Sequence, residues 1–516
     1  MSPVSRFWHA FETFAIFARD SGLGGEVACN RQAMPWTNFS QRSQRSQRVA
    51  RKELLFKGLR EPAGMPTSNA RDPAKRLYWS EMLRSRRVLI TALLGGAVMV
   101  SAELNWPGWR GPLSNGVSEE KNLPTEWTPE SHILWKTELP GRGNSSPVIW
   151  GDRIFLTAEM EGDLVEGIKP PPHTLRGQPF RHPDSTAADR VHKLIVMALD
   201  RKTGAIAWQR VVYEGLVYDE HHKKGNHAAP TAVTDGKMVY FYFGAAGLFA
   251  YDFDGKQVWN MNPGKIGTIG MGPGTSPVVD AERVYLQCDM EEGEGSYIVA
   301  LDKKSGKTLW RKERTEKVSW ATPVLMKPES GAPELLTSGM DAVVAYEPAT
   351  GKVLWKAAGV GGNAVPSMVY TQGIAIFTAG YPDKHTLAVK PGGSGDVTPL
   401  WVYNKGSGYV PSPIAYGDYV YLITDKGILT CLDAKTGEVK YANGRVPVPA
   451  TFSASPIAFD GKLLLTSEDG ETFVVKAGPV HEVLAKNSVG EAVYASPAVA
   501  QGTLFIRGAK HLFAIR

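Results

Sequence analysis

The chain has 516 residues, of which 43% are hydrophobic and 21% charged, as is ordinary for a soluble globular protein. Its net charge of +6 is concentrated in residues 1–87, which hold 16 Lys/Arg against 7 Asp/Glu, so the chain from Glu103 onward carries −3. A mildly acidic body excludes a general nucleic-acid binder, which needs a basic surface. Cys29, Cys288 and Cys431 form no CxxC motif, which excludes thiolate zinc sites and thioredoxin-like chemistry. We interpret Cys288 and Cys431 as buried free thiols.

The N-terminal residues differ from the rest of the chain. Residues 1–81 contain SQRSQRSQRVARK and little hydrophobic periodicity, which predicts a disordered basic extension. Residues 82–102 have three arginines, a 13-residue apolar core and small residues before a cleavage point, which predicts a signal peptide for Sec or twin-arginine export. We therefore expect Met82 to be the true start; the alternative is a basic tail followed by one anchor helix. An N-terminal segment, residues 103–130, precedes the repeats.

Eight copies of one phrase dominate the remaining chain. Each copy has a small residue, a proline and an apolar run, as in TSPVVDAERVYL from Thr275. The key prolines are Pro147, Pro230, Pro277, Pro323, Pro366, Pro413, Pro456 and Pro497. The first spacing is 83 residues and the other six are 41–47. A period of this length, with alternating apolar residues and Gly/Asp turns, predicts a radial array of four-stranded β-sheets.

A second phrase, ALDKKSGKTLW at 300–310, recurs as ALDRKTGAIAW, AYEPATGKVLW and CLDAKTGEVKY. The proline phrase and the apolar run after it predict strands A and B, and this hairpin predicts strands C and D. We expect Asp302 to bond the turn backbone and Gly306 to supply a positive φ. Large aromatic residues recur at the end of strand D, and we interpret them as wedges that pack between neighbouring blades. These residues are Trp135, Trp208, Trp259, Trp310, Trp355, Trp401 and Tyr441.

The two ends of the repeat array predict that the ring is closed. The last copy stops after its strand C at HLFAIR, whereas HILWKTEL at 132–139 precedes the first proline and has the pattern of a strand D. We therefore predict an all-β fold over residues 131–516. It is an eight-bladed β-propeller of four-stranded antiparallel blades, with the ring closed by an N-terminal strand.

The pattern A-x-D-x-x-[ST]-G-x-x-x-W resembles the tryptophan-docking motif of the PQQ-like, or quinoprotein, β-propeller repeat family. In that family some members are dehydrogenases that bind pyrroloquinoline quinone (PQQ) and Ca²⁺, and others resemble a scaffold lipoprotein of the outer-membrane barrel-assembly machinery. The alcohol-oxidising members typically have two adjacent cysteines over the quinone, and this sequence has none. The resemblance therefore implies the non-catalytic branch more than the dehydrogenases.

We expect an exported, non-catalytic propeller, a monomer without a stable membrane span. It binds a protein or another envelope component through its loop-rich face, with no cofactor predicted. One alternative is a PQQ-dependent oxidoreductase acting on alcohols or sugars with PQQ and Ca²⁺, and another is a carbohydrate-binding envelope protein. The residues three before each key proline are diverse, so we predict a ligand or partner surface at the channel mouth. Its candidates are Asn144, His227, Trp320, Asn363 and Tyr494 at that position, together with the adjacent aromatic loop residues Tyr409 and Phe452.

We predict no metal site, because no histidine or carboxylate spacing is diagnostic. His221, His222 and His227, beside Asp219 and Glu220, are the residues that such a site would use. The long first repeat contains an insertion at 161–192 between strands B and C, which indicates an ordered flap or a mobile lid. We expect it to meet the loop that contains these histidines above blades 1 and 2. The acidic run DMEEGEGS from Asp289 is interpreted as a solvated loop.

Overall fold

The structure, a computed structural model, describes residues 104–329 and 331–516. The predicted extension, the predicted signal peptide and Cys29 lie outside these residues. The described chain forms eight sheets arranged as the blades of a propeller, as predicted. Two further sheets have two strands each: His173–Leu175 with Gln178–Phe180, and Ser185–Thr186 with His221–His222. In the described part of the chain no helix is long and apolar enough to span a membrane.

The first four blades contain these strands, in the order A to D. Blade 1 comprises Val148–Trp150, Arg153–Leu164, Arg190–Asp200 and Ile206–Leu216. Blade 2 comprises Val233–Thr234, Met238–Tyr242, Leu248–Asp252 and Gln257–Met261, with a 3₁₀ turn at Gly244–Ala246. Blade 3 comprises Val278–Val279, Arg283–Cys288, Tyr297–Asp302 and Thr308–Glu313. Blade 4 comprises Val324–Met326, Glu334–Thr337, Ala342–Tyr346 and Val353–Ala358, with Gly395–Asp396 added in parallel as a fifth strand.

The remaining blades follow in the same order. Blade 5 comprises Val369–Thr371, Ile374–Ala379, His385–Val389 and Trp401–Tyr403. Blade 6 comprises Ile414–Tyr416, Tyr419–Ile423, Ile428–Asp433 and Val439–Arg445. Blade 7 comprises Ile457–Phe459, Lys462–Thr466, Glu471–Lys476 and Val483–Ser488. Blade 8 comprises Ala498–Ala500, Thr503–Arg507, His511–Ile515 and the N-terminal strand Ile133–Glu138.

Blade 8 confirms the predicted closure of the ring. Ile133–Glu138 pairs antiparallel with His511–Ile515, so the start of the array supplies strand D to its end. In every blade strands A to D run alternately up and down. The A–B and C–D turns therefore share one side, the turn face, and the D–A and B–C loops share the other, the loop face.

The strand-D tryptophans pack between blades, as expected. Trp310 of blade 3 donates its indole N–H to Pro348 O, 3.0 Å away in the C–D turn of blade 4, and its ring lies against Gly351. Trp135, Trp208, Trp259 and Trp401 bond the next blade's turn in the same way. Trp355 of blade 4 differs, because its indole N–H donates to Glu334 Oε2 and not to the C–D turn of blade 5. In blade 5 the segment between strands C and D pairs with blade 4 as its fifth strand, so the usual turn is absent there.

The turn of the repeated hairpin has the predicted chemistry. Asp302 Oδ1 accepts bonds from the amide and the hydroxyl of Ser305 at 2.8 and 2.6 Å, and Gly306 has a φ of 71°. A Cβ at Gly306 would lie 2.7 Å from the ring of Trp259, so glycine satisfies both the backbone and the neighbouring blade.

The N-terminal segment crosses the turn face from one side of the ring to the other. Trp106 pairs with Ile149 of blade 1, and Trp109 donates its indole N–H to Ser367 Oγ of blade 5 at 3.0 Å. The buried guanidinium of Arg110 donates to Pro413 O of blade 6 at 2.6 Å, and burial lowers its pKa to about 9. This segment therefore lies across the channel opposite the loop face.

Replacing Trp310 with Ala tests the wedge interpretation. The ring is buried between blades 3 and 4, so Trp310→Ala should lower the free energy of unfolding by about 3–5 kcal/mol. The neighbouring Leu309 is 50% exposed, and Leu309→Ala should change it by no more than about 0.5 kcal/mol. Urea unfolding followed by circular dichroism measures both, and equal losses would contradict the assignment.

Candidate functional site on the loop face

Two segments lie over the loop face of blades 1–3. One is the insertion, residues 161–192, and the other is the strap, residues 217–227, which joins blade 1 to blade 2. Ser185–Thr186 of the insertion pairs antiparallel with His221–His222 of the strap, so the two segments meet as expected. Part of the insertion extends the blade itself, because Arg153–Leu164 has 12 residues and Arg190–Asp200 has 11, about twice the length of the same strands elsewhere.

The strap spans one side of the mouth of the central channel. Lys224 Nζ lies 2.8 Å from Glu468 Oε2, which belongs to the B–C loop of blade 7. Asn144, a predicted mouth residue, donates its amide to Lys224 O at 3.0 Å and accepts a bond from Asn226 at the same distance. The strap joins blades 1 and 2, which lie two and three positions from blade 7 in the ring, so this ion pair links separate blades across one side of the mouth.

Five titratable side chains meet beneath the strap and form the histidine cluster: Glu159, Glu161, His192, His221 and His227. Glu159 and Glu161 are two apart on strand B, so both lie on one side of the blade. His192 is the strand-C partner of Glu161. The strap brings in the other two histidines. All five except Glu161 are buried.

Carboxylates link the three imidazoles. Glu159 Oε1 lies 2.5 Å from His192 Nδ1 and 2.8 Å from His227 Nδ1. Glu161 Oε1 lies 3.3 Å from His221 Nε2 and accepts a bond from Arg142 at 2.9 Å. The ring centroids of His192 and His221 lie 4.7 and 5.0 Å from that of His227.

These contacts keep the carboxylates ionised. Burial alone would raise the pKa of Glu159, but His227 and His192 outweigh it and hold the pKa of this carboxyl well below its usual range. The imidazole of His221, with Nε2 3.3 Å from Glu161 Oε1, lowers the pKa of Glu161. The cluster therefore presents two carboxylates and three imidazoles at one place, a donor set typical of transition-metal sites.

A second group of charged side chains anchors the insertion. The imidazole of His173 contacts Glu291 through Nδ1 and lies 3.3 Å from Asp219 Oδ1 through Nε2. Arg181 Nη2 lies 2.8 Å from Glu220 Oε1. Burial raises the pKa of Asp219, although its bonds to Thr268 oppose this. The acidic run of blade 3, predicted as a solvated loop, is thus the anchor of the insertion.

The three histidines named as metal candidates are divided between two places. His221 and His227 lie in the histidine cluster, whereas His222 lies 3.4 Å from Asp184 Oδ2 and beside His182 at the edge of the strap. Adjacent residues of a strand point to opposite sides, which explains the separation of His221 from His222.

Three other predicted mouth residues, all half-buried, lie on the loops of blades 4–6 with the exposed Tyr381, which was not predicted. We call Trp320, Asn363, Tyr381 and Tyr409 the aromatic patch. Asn363 donates its amide to the Tyr409 hydroxyl at 3.3 Å, and the ring centroids of Tyr381 and Tyr409 are 5.4 Å apart. The amide of Trp320 bonds Ala364 O at 2.9 Å, next to Asn363. Tyr381 is 47% exposed.

The remaining mouth candidates differ in exposure. Phe452 is buried against Phe473 in the core between blades 6 and 7, so its ring is not available to a sugar or a partner. His227 is buried in the histidine cluster, and Tyr494 is half-buried in the loop before blade 8. The predicted mouth residues therefore fall into two groups. One lies beneath the insertion and the strap, and the other lies on blades that these segments leave uncovered.

Glu159, Glu161 and His192 were not predicted from the sequence. Glu159 and Glu161 belong to the run TAEMEGDL, which has carboxylates every second residue where the insertion begins, and His192 is the last residue of the insertion. The alternating carboxylates could have indicated a charged site at this strand. The sequence alone does not show that the strap passes over them and adds two histidines.

The mouth does not fit the quinone-and-disulfide site that the family resemblance implies. Cys288 and Cys431 are buried in blades 3 and 6, and burial raises the pKa of each thiol to about 12. The Lys224–Glu468 ion pair crosses one side of the mouth, and the amides of Tyr409 and Val410 hold the carboxylate of Asp425 at 2.9 and 3.0 Å.

Sequence comparisons find two kinds of relative. A family profile described as outer membrane protein assembly factor BamB matches residues 192–443. The chain is 23% identical over 299 residues to a polyvinylalcohol dehydrogenase from Pseudomonas sp., covering 48% of this chain and 40% of that protein. It is 32% identical over 115 residues to BamB from Burkholderia pseudomallei, covering 22% and 29%. The chain thus spans less than half the length of these curated relatives.

Solved structures of the same fold include both kinds. BamB from Moraxella catarrhalis aligns with a TM-score of 0.50 and 14% identity, covering 74% of this chain and 99% of that chain. A quinohemoprotein alcohol dehydrogenase from Comamonas testosteroni aligns with a TM-score of 0.56 and 12% identity, covering 80% of each chain. At these identities the likeness shows the fold alone.

Removing Glu291 should free the insertion without unfolding the propeller. Glu291 bonds His173 and accepts from the amide of Thr174 at 3.0 Å. Bonds to a charged group contribute about 1.5–3 kcal/mol, so Glu291→Ala should speed amide exchange in residues 170–182 by roughly 10-fold or more. Glu294→Ala, an exposed position in the same loop, is the control in hydrogen-exchange mass spectrometry. Equal exchange in both variants would contradict the anchoring role.

Proposed function

We propose that this propeller, which the BamB family profile matches over residues 192–443, is an exported, non-catalytic scaffold of the cell envelope. Its partner binds to the part of the loop face that the insertion and the strap leave uncovered. The signal pattern at 82–102 and the relatives named as outer membrane protein assembly factors support an envelope location. The aromatic patch supports the choice of surface.

The observation that carries the proposal is the contrast between the two halves of the loop face. The insertion and the strap cover blades 1–3 with buried ion pairs, whereas blades 4–6 present the aromatic patch beside the exposed Val410. Tyrosine and tryptophan are enriched in binding interfaces because they bury a large apolar area and retain a polar group. The rigid blades below hold these loops in place.

A second candidate is an alcohol-oxidising enzyme, and the match to a polyvinylalcohol dehydrogenase favours it. The ion pair across one side of the mouth and the two buried, separate cysteines weigh against it. We therefore prefer the scaffold.

Photo-crosslinking from the aromatic patch tests where the partner binds. With p-benzoylphenylalanine at Tyr381, the full-length protein expressed in its own cells should form a discrete crosslinked species. The same replacement at Leu113, which is 68% exposed on the turn face, should not. A Tyr381→Ala variant should weaken binding of the crosslinked partner by roughly 5-fold or more, since interface hot spots contribute about 1–4 kcal/mol. Crosslinks only from Leu113, or none from Tyr381, would refute this surface.

The enzyme alternative has its own test. Purified protein incubated with PQQ and Ca²⁺ should neither retain quinone after gel filtration nor reduce an electron-acceptor dye when polyvinyl alcohol, primary alcohols or sugars are added. Retention of about one equivalent of quinone together with dye reduction would replace the scaffold by an oxidoreductase.

A further inference from the structure

Each imidazole of the histidine cluster has one nitrogen fixed by a main-chain carbonyl. His192 Nε2 lies 2.7 Å from Ala187 O, His221 Nδ1 lies 2.9 Å from His222 O, and His227 Nε2 lies 3.1 Å from Asp219 O. A carbonyl oxygen only accepts, so these three nitrogens carry the protons. In the neutral ring the second nitrogen then has a lone pair.

The second nitrogens all face carboxylate oxygens. They are His192 Nδ1 and His227 Nδ1, which face Glu159, and His221 Nε2, which faces Glu161. A lone pair directed at an anionic oxygen is repulsive unless a proton or a cation lies between them. Three imidazoles and two carboxylates in one buried place therefore require a shared positive charge.

His221 gives a second and independent indication. Its Nε2 is fully buried, has no hydrogen-bond partner and points into the cluster. Buried polar atoms in proteins are almost always paired, because an unpaired one loses the whole free energy of its hydration. The arrangement of this ring, with one N–H on a carbonyl and the other nitrogen free, is the one that metal-bound histidines adopt.

We propose that Glu159, His221 and His227 bind a divalent transition-metal ion, with Zn²⁺ the best match. One donor atom from each residue lies within 4.8 Å of the other two. A tetrahedral Zn²⁺ holds its donor atoms about 3.3 Å apart, which these side chains reach by small rotations. Two imidazoles and a carboxylate are donors that Zn²⁺ prefers, whereas Ca²⁺ and Mg²⁺ require oxygen ligands.

The neighbouring residues complete the site. His192 contacts the carboxylate of Glu159 and is a positioning residue rather than a ligand. Glu161, the one exposed member, lies 3.3 Å from His221 Nε2 and is paired with Arg142 at 2.9 Å. The amide of His227 bonds Glu159 Oε2 at 2.6 Å, which fixes the carboxylate relative to the strap.

The ion joins two parts of the fold. Glu159 belongs to blade 1, whereas His221 and His227 lie at either side of the tip of the strap, where Lys223 and Lys224 are exposed. Binding to all three fixes the strap over the channel mouth, so loss of the metal should release the strap while the blades stay folded. A cluster that holds only protons predicts instead that the strap is independent of metal.

Metal analysis of the tag-free, full-length protein tests the site. After chelation with EDTA and dialysis against ZnCl₂, wild-type protein should retain about one equivalent of Zn²⁺ by mass spectrometry of the metal. Co²⁺ should replace it and give the visible bands of a tetrahedral complex. Retention below roughly one tenth of an equivalent would overturn the proposal, and this result needs no variant.

A pair of adjacent substitutions locates the ion. His221→Ala should weaken Zn²⁺ binding by at least roughly 10–100-fold, and His222→Ala, one residue away and outside the cluster, should leave it unchanged. Hydrogen exchange of residues 217–227 should rise on metal removal in wild-type and His222→Ala protein alike. Equal Zn²⁺ affinity in His221→Ala and His222→Ala, both verified as folded by circular dichroism, would refute this ligand set. If His221→Ala does not fold, Glu159→Gln takes its place.

Discussion

A ring of hydrogen bonds between side-chain hydroxyls and backbone amides around the channel holds the blades in register. Seven links join successive blades: Ser146 N to Thr231, Thr231 N to Ser276, Ser276 N to Thr322, Thr322 N to Ser367, Ser367 N to Ser412, Ser412 N to Ser455 and Ser455 N to Ser496. The key proline has no N–H, so a residue beside it donates to the next blade while its own hydroxyl accepts from the previous one. Each link contributes only about 1 kcal/mol, but together they fix where every strand A begins.

Where the two ends of the array meet, a buried arginine makes the contact. Arg507 of blade 8 donates to Ser145 O and Oγ and to Thr157 O of blade 1, at 3.1, 2.5 and 2.7 Å. The guanidinium fills the space beside Gly143, where a Cβ would lie 2.0 Å from it, so this position must be glycine. Burial lowers the pKa of Arg507 to about 9, so its carbonyl acceptors offset a large loss of hydration. The closing blade thus needs both this arginine and the N-terminal strand.

The sequence was sufficient for the fold because each blade repeats the same local chemistry. Period-two strands, the Asp302–Gly306 turn and the wedge of Trp310 depend on residues close in the chain or at a fixed repeat spacing. The uniform small residue before each proline was recognised, but not its hydrogen bond. In the two copies where that residue is Ala229 or Val365, the hydroxyl group belongs to the residue after the proline instead. Comparing only the residues before the prolines therefore does not show that every copy has a hydroxyl.

The histidine cluster was not predictable in the same way, because it depends on contacts that occur once. Glu159 and His227 are 68 residues apart, and they meet only because strand B of blade 1 is extended and the strap turns back over it. The ring fixes the blades, and these two irregular segments then divide the loop face. At the tip of the strap Lys224 reaches Glu468 on blade 7, and at its base His227 binds Glu159 on blade 1. The position of the strap, and so the shape of the mouth beside the aromatic patch, is therefore set at both ends by charged groups. Since Lys224 is half exposed and its ion pair is screened by salt, the buried base determines that position more strongly than the tip.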